Sequence, residues 1–441
     1  MKSVYHIKSI ENNCWQEAPV GAAESKDTLE LTGAVRGEMK GFGGCFNEMA
    51  WQALLELNKA DRDAYMKELF SEEGCNFNFG RVPIGANDFS MEWYSCDEVK
   101  DDYELKHFNI DRDKEMTIPF IKEAMKYKDD FFVFGSPWSP PTWMKTKAVY
   151  NYGTLRMEDA VLKAYARYFV KFVQSYKAEG VNVKQVHIQN EPMADQKFPS
   201  CLWTGEEMLL FIRDYIGPAF EEAGLDAEVW LGTINGPFVD MMLGMTPFGE
   251  FFDQFINTVL SDEKARNYIS GVGLQWGGKH VLEQTAASYP EVRIMQTESE
   301  CGDGVNSWEH MEYIFGIMWQ YFRHGAERYT YWNFALPKGG ESAWGWKQNS
   351  LAIVDTEAKT LILNPEFYLM KHFSHFVKSG AKILDVKGHW SANTMVFENP
   401  DGQLVLVVGS NMHRERIFSF VHGEKSFSAV IEPHSVHTFV I

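Results

Sequence analysis

The sequence predicts an α/β fold: a parallel (β/α)₈ barrel of the TIM type, carrying a small antiparallel β-sandwich module formed by the C-terminal segment and N-terminal strands. Three observations support this expectation. Eight short apolar runs of strand character recur between residues 40 and 336, with helix-period segments between them. No Gly-x-Gly-x-x-Gly follows an early strand, which weighs against a doubly wound open sheet. From Ala381 onward the helix period disappears, and short strands bounded by turn residues take over.

Residues 1–38 read as strand-like, as in "TLELTG" (28–33), and are assigned to the β module. The barrel is expected over 39–375. Its strands are "KGFGGCF" (40–46), "CNFNFGRVPIG" (75–85), "DFFVFGSPW" (130–138), "VKQVHIQNEP" (183–192), "AEVWLGTING" (227–236), "ISGVGLQWGG" (269–278), "VRIMQTESE" (292–300) and "ERYTYWNFAL" (327–336). Between them lie segments such as "EDAVLKAYARYFVKFVQSYKAEG" (158–180), whose apolar residues recur three and four apart and which ends at Gly180. Its aromatic residues are expected in the core. The glycines of "GFGGCF" lack the Lys-Ser/Thr of a phosphate loop and indicate tight backbone packing instead. Residues 376–441 form the rest of the module, with turns at Pro400-Asp401-Gly402 and Gly423-Glu424.

A chain of 441 residues that is 45% hydrophobic and 23% charged has the composition of a soluble globular protein. Its 42 basic and 61 acidic residues give a net charge of −19, which disfavours nucleic acid and anionic membrane surfaces as partners and suits a neutral ligand. The 14 Trp and 15% aromatic content offer flat faces of the kind sugar rings stack on. The opening "MKSVYHIKSIENNCWQE" lacks the apolar stretch of about 7 to 15 residues of a secretory signal, and no run approaches the roughly 18 apolar residues of a membrane span. A cytoplasmic protein with no membrane span is expected. The six cysteines (14, 45, 75, 96, 201, 301) are scattered and read as free thiols. His372 and His375 have helical spacing but no third ligand, so no metal and no cofactor is expected.

Active sites of such barrels lie at the C-terminal ends of the strands. Two strands end there in carboxylates. The fourth finishes in Asn190-Glu191, with Pro192 fixing the chain as it leaves the sheet, and the seventh finishes in Glu298 and Glu300. Two acids at one barrel mouth are what a retaining glycosidase needs: one attacks the anomeric carbon, the other protonates the departing oxygen and then activates water, at a separation of about 5 to 5.5 Å. Glu298, still within the strand, is the expected nucleophile, with Glu300 as its rival; Glu191 is the expected acid/base. Arg81, at the end of the second strand, is expected to reach across the mouth and hold Glu298 ionised, leaving Glu191 protonated near neutrality.

The stretches "GFGGCFNEMA", "RVPIGANDFS", "GSPWSPPTWMKT", "ARYFVKF", "IQNEP", "TESECG", "YWNFAL" and "NPEFYLMKHFSHFV" together resemble glycoside hydrolase family 30, in family order and over nearly the whole chain. The resemblance implies a retaining β-glycosidase of glucosylceramidase type, exo-acting on β-glucosides, with Glu191 as acid/base and Glu298 as nucleophile. It also implies that Asp88, Trp138, Asn190 and Trp332 line the pocket for the non-reducing sugar, with Trp276 as a wall and the loop bearing Trp344, Trp346 and Asn349 on the leaving-group side. The same chemistry on β-xylosides, β-fucosides or β-1,6-linked oligosaccharides is the alternative, and a non-catalytic carbohydrate-binding protein is a further one. One stretch departs from the pattern: Gln275-Trp276-Gly277 stands where the family carries His-Trp-Tyr, so the tyrosine expected to contact the nucleophile is missing.

Overall fold

The structure is a computed structural model that describes residues 4–21, 25–236 and 252–441. Eight parallel strands form the barrel: Gly41–Cys45, Phe79–Pro83, Phe132–Ser136, Val183–His187, Glu228–Ile234, Ile269–Gln275, Arg293–Glu298 and Arg328–Asn333. Each predicted run contains one of them. Strands one to seven pair consecutively and the eighth pairs with the first. Closure between the seventh and eighth comes from Ser299 N–H donating to Thr330 O (3.0 Å) and Glu327 N–H to Ile294 O (2.9 Å). The second and third strands are buried throughout, as parallel strands covered on both faces must be.

The glycines of the first strand make room rather than bind phosphate. A Cβ on Gly43 would lie 2.2 Å from the carbonyl oxygen of Phe79, and one on Gly44 would lie 2.6 Å from the ring of Phe334. The long helix Asp159–Ala178 buries Leu162, Tyr165, Phe169, Phe172 and Tyr176 along one stripe, and Gly180, at φ +81°, ends it in the left-handed conformation that favours glycine. Beneath the mouth, Phe79, Phe132, Phe134, Trp230 and Met295 fill the barrel interior. Among the described residues no helix is long and apolar enough to cross a membrane.

The module is one continuous hydrogen-bonded order of nine strands that folds over on itself. It takes in Tyr5–Ile10, Asn13–Glu17 and Thr28–Met39 from the N-terminal segment, with six strands from Ala381 to Val440. Phe418 and Phe439, on strands far apart in that order, meet across the fold at 5.6 Å between ring centroids, which makes it a sandwich. The strand Leu404–Ser410 explains how both sides are satisfied. Leu404, Leu406 and Val408 enter the module's own core, whereas Val405 and Val407 enter the core shared with the barrel. Side chains of period two thus join the two units without a linker.

A chain of buried imidazoles crosses the same boundary. His372, on the helix Pro365–Ser374, bonds Ser9 Oγ and Thr438 Oγ1, each at 2.8 Å, and His6 Nε2 meets His437 Nδ1 at 2.9 Å. Burial pushes His6 down to about 4, His372 to about 3, and His437 well below the usual imidazole range; Lys8 and Lys371 push the same way, and Glu432 opposes at His6. The unfolded chain binds protons on these rings near 6.5. The stabilisation gained by keeping them neutral is therefore complete above about 6.5 and is lost as pH falls from there toward 4, by up to about 1.4 kcal/mol per pH unit for each ring. Thermal denaturation between pH 7 and 4.5 should show a falling midpoint, and His372→Gln should flatten that slope while lowering the midpoint at pH 7. An unchanged slope would remove the histidines from the acid response.

Candidate active site

At the C-terminal end of the barrel, side chains from the third, fourth, fifth and seventh strands converge on Arg81, which is fully buried. Its Nη2 donates to Asn190 Oδ1 (2.7 Å), Ser136 Oγ (2.9 Å) and Thr233 Oγ1 (3.1 Å). Nε donates to Ser136 Oγ (3.1 Å), and Nη1 donates to the Glu298 carboxylate and to Thr297 O (3.4 Å). The flat guanidinium lies 4.5 Å from the ring centre of Trp138, 5.3 Å from Trp332 and 5.9 Å from Phe134. An arginine suits such a position because its planar fork donates in-plane while its faces stack on rings.

Local irregularities aim the acids. Against the sixth strand, the seventh shifts register between Gln296 and Glu298, a bulge that re-aims its last residue; Glu298 is 8% exposed. The fourth strand continues its pairing past its regular end: Gln189 N–H donates to Gly232 O (2.9 Å), Thr233 N–H to Gln189 O (2.7 Å) and Glu191 N–H to Thr233 O (3.0 Å). Glu191 then sits at φ +45°, a left-handed conformation that costs a non-glycine residue about 1 kcal/mol or more and that persists where surrounding bonds impose it. Asn235 Nδ2 donates to Glu191 Oε1 at 2.8 Å. The two glutamates thus stand around one guanidinium, and each acts electrostatically on the site: Arg81 lowers the pKa of both, and Glu191 raises that of Glu298.

Burial raises both carboxyls, Glu298 to about 8, with Arg81 opposing. The expectation that only Glu191 would be raised is corrected here. Both acids lie out of bulk water, and each has one donor that favours its charged form, Arg81 at Glu298 and Asn235 at Glu191; the two differ in that the donor at Glu298 carries a permanent charge. Asp88, in the loop after the second strand, is pushed up to about 7, first by burial. Its Oδ2 accepts from Gln348 Nε2 at 3.4 Å, and its Oδ1 has no protein partner. Trp138 and Trp332 stand 5.4 Å apart beside it, and the indole N–H of Trp332 is buried without a protein acceptor. At the rim, Trp346 is 50% exposed and stacks on Trp344 at 5.2 Å, which in turn meets Phe198 at 5.2 Å.

One expectation needs correction, and the rival nucleophile falls away. Asn349 does not face the site: it is fully buried, donating to Glu366 Oε1 (2.8 Å) and accepting from Gly304 N–H (2.9 Å) and Asn306 N–H (3.1 Å), so it braces the loop after Glu298. Gln348 is the residue of that stretch whose side chain reaches the Asp88 carboxylate. Glu300 turns back into its own loop, accepting from Gly302 N–H (2.9 Å) and facing His310 (3.4 Å). In "QWG", Gln275 joins the cluster, donating to Asn190 Oδ1 at 2.7 Å, and Trp276 beside it is half-buried, with Lys279 Nζ 5.3 Å from its ring centre. Sequence reasoning also passed over Ser136, Thr233 and Asn235, whose position within one residue of a strand's end was the available signal.

The family model described as the glycosyl hydrolase family 30 TIM-barrel domain matches residues 39–377, and that for the family's beta sandwich domain matches 380–439. The chain belongs to glycoside hydrolase family 30. A putative glucosylceramidase 3 of Caenorhabditis elegans is 31% identical to it, covering 91% of this chain and 79% of the relative. An endo-1,6-β-D-glucanase of Neurospora crassa is 27% identical, covering 96% and 91%. The crystal structure of SrfJ from Salmonella typhimurium superposes with a TM-score of 0.88 at 23% identity, over 100% and 99% of the two chains, a likeness of fold. The family 30 barrel and sandwich are thus both present, and the protein is a glycoside hydrolase.

The centre of this family 30 site can be tested by stability alone. Arg81→Met leaves Glu298 without its counter-charge, and the expected loss is about 3 to 5 kcal/mol, the range for breaking one side of a buried ion pair. Ser136→Ala, which removes neutral hydrogen bonds, should cost about 1 kcal/mol. Urea denaturation midpoints compare the two; equal small losses would mean that the guanidinium does not organise the mouth.

Proposed function

We propose that the protein is a retaining β-glycosidase, exo-acting on β-glucosides. The observation that carries this reading is the pair of glutamates from the fourth and seventh strands gathered round Arg81, with only Glu298 bonded to it. In the first step a Glu298 carboxylate oxygen bonds to the anomeric carbon while the Glu191 proton moves to the glycosidic oxygen, and that C–O bond breaks. In the second, Glu191 takes a proton from water, the water oxygen bonds to the anomeric carbon, and the ester bond to Glu298 breaks. Asp88, with one unpartnered oxygen, suits two ring hydroxyls; Trp332 offers its indole N–H, and Trp138 an apolar wall. Asn190 is shared between Arg81 and Gln275, and its amide suits the sugar 2-hydroxyl, where contacts strengthen in the transition state. The glucosylceramidase name of one relative supports glucose as the sugar.

A second reading, action on β-1,6-linked oligosaccharides, draws support from the exposed Trp346 stacked on the half-buried Trp344 at the rim, a platform for a second sugar, and from the glucanase name of another relative. Product analysis on β-1,6-gluco-oligosaccharides separates the two: glucose alone indicates exo action, whereas mixed oligosaccharides indicate endo action.

Replacement of each acid tests the chemistry. Glu298→Gly should lose turnover of an aryl β-glucoside by several orders of magnitude and regain part of it with azide, giving the inverted glycosyl azide. Glu191→Ala should largely spare the first step for activated aryl leaving groups and give the retained azide. Full activity in both variants would exclude the assignment. A second test uses Asp88→Asn, which keeps shape but removes charge; it should cost about 10²-fold in kcat/KM, the upper range for hydrogen bonds made to a charged group.

A further inference from the structure

The glycine of Gln275-Trp276-Gly277 has a structural counterpart. Gly277 has no positive φ, so backbone conformation does not demand a glycine there; space does. A Cβ at Gly277 would lie 2.5 Å from Asn235 Oδ1 and 2.8 Å from Gly236 N. Asn235 follows the fifth strand, is 2% exposed, and uses both ends of its amide. Its Oδ1 accepts from Gly277 N–H at 2.8 Å, and its Nδ2 donates to Glu191 Oε1 at 2.8 Å. A backbone N–H can only donate, so the amide oxygen must face Gly277 and the NH₂ must face Glu191. Neither rotation nor a flip of the amide preserves both bonds.

We infer that Asn235, locked by the Gly277 backbone, is a positioning residue for Glu191: it holds one carboxyl oxygen as an acceptor and so leaves the other to carry and return the reacting proton. This inference rests on the reading of Glu191 as acid/base. Glu191 is held at two points, its backbone by Thr233 and its side chain by Asn235, which fixes a residue whose φ is otherwise unfavourable. The amide also has an energetic sense. When the Glu191 proton moves to the glycosidic oxygen and the C–O bond breaks, the carboxylate that remains keeps a donor 2.8 Å away that favours its charge. In the reverse transfer, from water to Glu191, that preference opposes protonation. Asn235 therefore assists the first step most, and its influence grows as the leaving group becomes poorer. Substitution at position 277 acts on the same bond from behind.

The test compares Asn235→Ala and Gly277→Ala with the parent enzyme and with Glu191→Ala, on an alkyl β-glucoside and on 2,4-dinitrophenyl β-glucoside. Asn235→Ala should lower kcat/KM on the alkyl substrate by about 10-fold or more, the range of a lost hydrogen bond to a charged group. On the dinitrophenyl substrate, which needs little protonation, the loss should be much smaller. Without its donor Glu191 holds its proton more tightly, so the alkaline limb of kcat/KM should move up by about one pH unit. Gly277→Ala, which crowds the amide without touching Glu191, should shift both readouts in the same direction by less, and it carries the test if Asn235→Ala does not fold. In a Glu191→Ala background, Asn235→Ala should have no further effect. Equal losses on both substrates with an unmoved alkaline limb would overturn the positioning role while leaving Glu191 as acid/base. Undiminished turnover of the alkyl glucoside by Glu191→Ala would overturn both.

Discussion

A guanidinium withdrawn from water carries a desolvation cost of several kcal/mol, and Arg81 is fully buried at the centre of the barrel mouth. Such a charge persists only where acceptors and a counter-charge surround it. Here they come from strands three, four, five and seven: Ser136, Asn190, Thr233 and Glu298. Gln275 from strand six bonds the same acceptors, Asn190 Oδ1 and Thr233 Oγ1, and so ties them together from the far side. Because no two of these strands carry the whole set, the network exists only in the closed barrel. Closure and site assembly are therefore one event, and the polar cluster adds directional constraints that the aromatic floor of Phe79, Phe132 and Phe134 cannot supply.

The outer layers keep that geometry fixed by ordinary apolar means. The helix Trp308–Arg323 follows the strand that ends in Glu298, and Phe322 on it packs on Phe373 of the helix Pro365–Ser374 and on Phe397 of the module, at 5.7 Å in each case. The module is thus a second wall behind the seventh and eighth strands rather than an appendage. Its own core needs only half of each strand, and the other half supports the barrel. The loop after Glu298 is braced separately: a Cβ on Gly302 would lie 2.4 Å from Asn349 Cγ, and Asn349 holds two backbone N–H groups of that loop. Behind Glu298 stands a packed amide, which limits how far that strand end can move.

Much of this was legible in the sequence because the strongest signals were redundant. Eight apolar runs with helical segments between them leave few alternatives to a barrel, and a carboxylate that ends such a run stands out against the residues before it. Arg81 was legible for the same reason. Trp138, Trp332 and Asp88 followed from resemblance of whole stretches. What could not be read depended on parity and on loops. That Gln275 joins the cluster is a matter of strand phase, and register shifts near the tops of the fifth, seventh and eighth strands obscure phase in the sequence just where it matters. Gln348 and Asn349 exchanged roles because an irregular loop has no period to assign them. Ser136, Thr233 and Asn235 were passed over because short polar residues at strand ends read equally well as turn formers.

The protonation of the mouth follows from the same network and departs most from simple expectation. Three carboxyls, Glu191, Glu298 and Asp88, are all raised by burial around a single permanent cation. Their protons are shared by the cluster, and apparent titrations belong to the set rather than to any one member. Arg81 can balance one negative charge by direct contact, and Glu298 has that contact. Asp88 has one oxygen without a partner, and Trp332 has an N–H without an acceptor, so each is incomplete until a polar ligand meets it. A sugar that offers hydroxyls at those points satisfies buried groups that otherwise bear their full desolvation cost, whereas one lacking them leaves that cost in place. Polar contacts at Asp88 and the ionisation of Glu298 are thus coupled through one electrostatic balance. Hydroxyls that stabilise the charge on Asp88 also raise the penalty on an anion at Glu298, which the direct contact with Arg81 offsets.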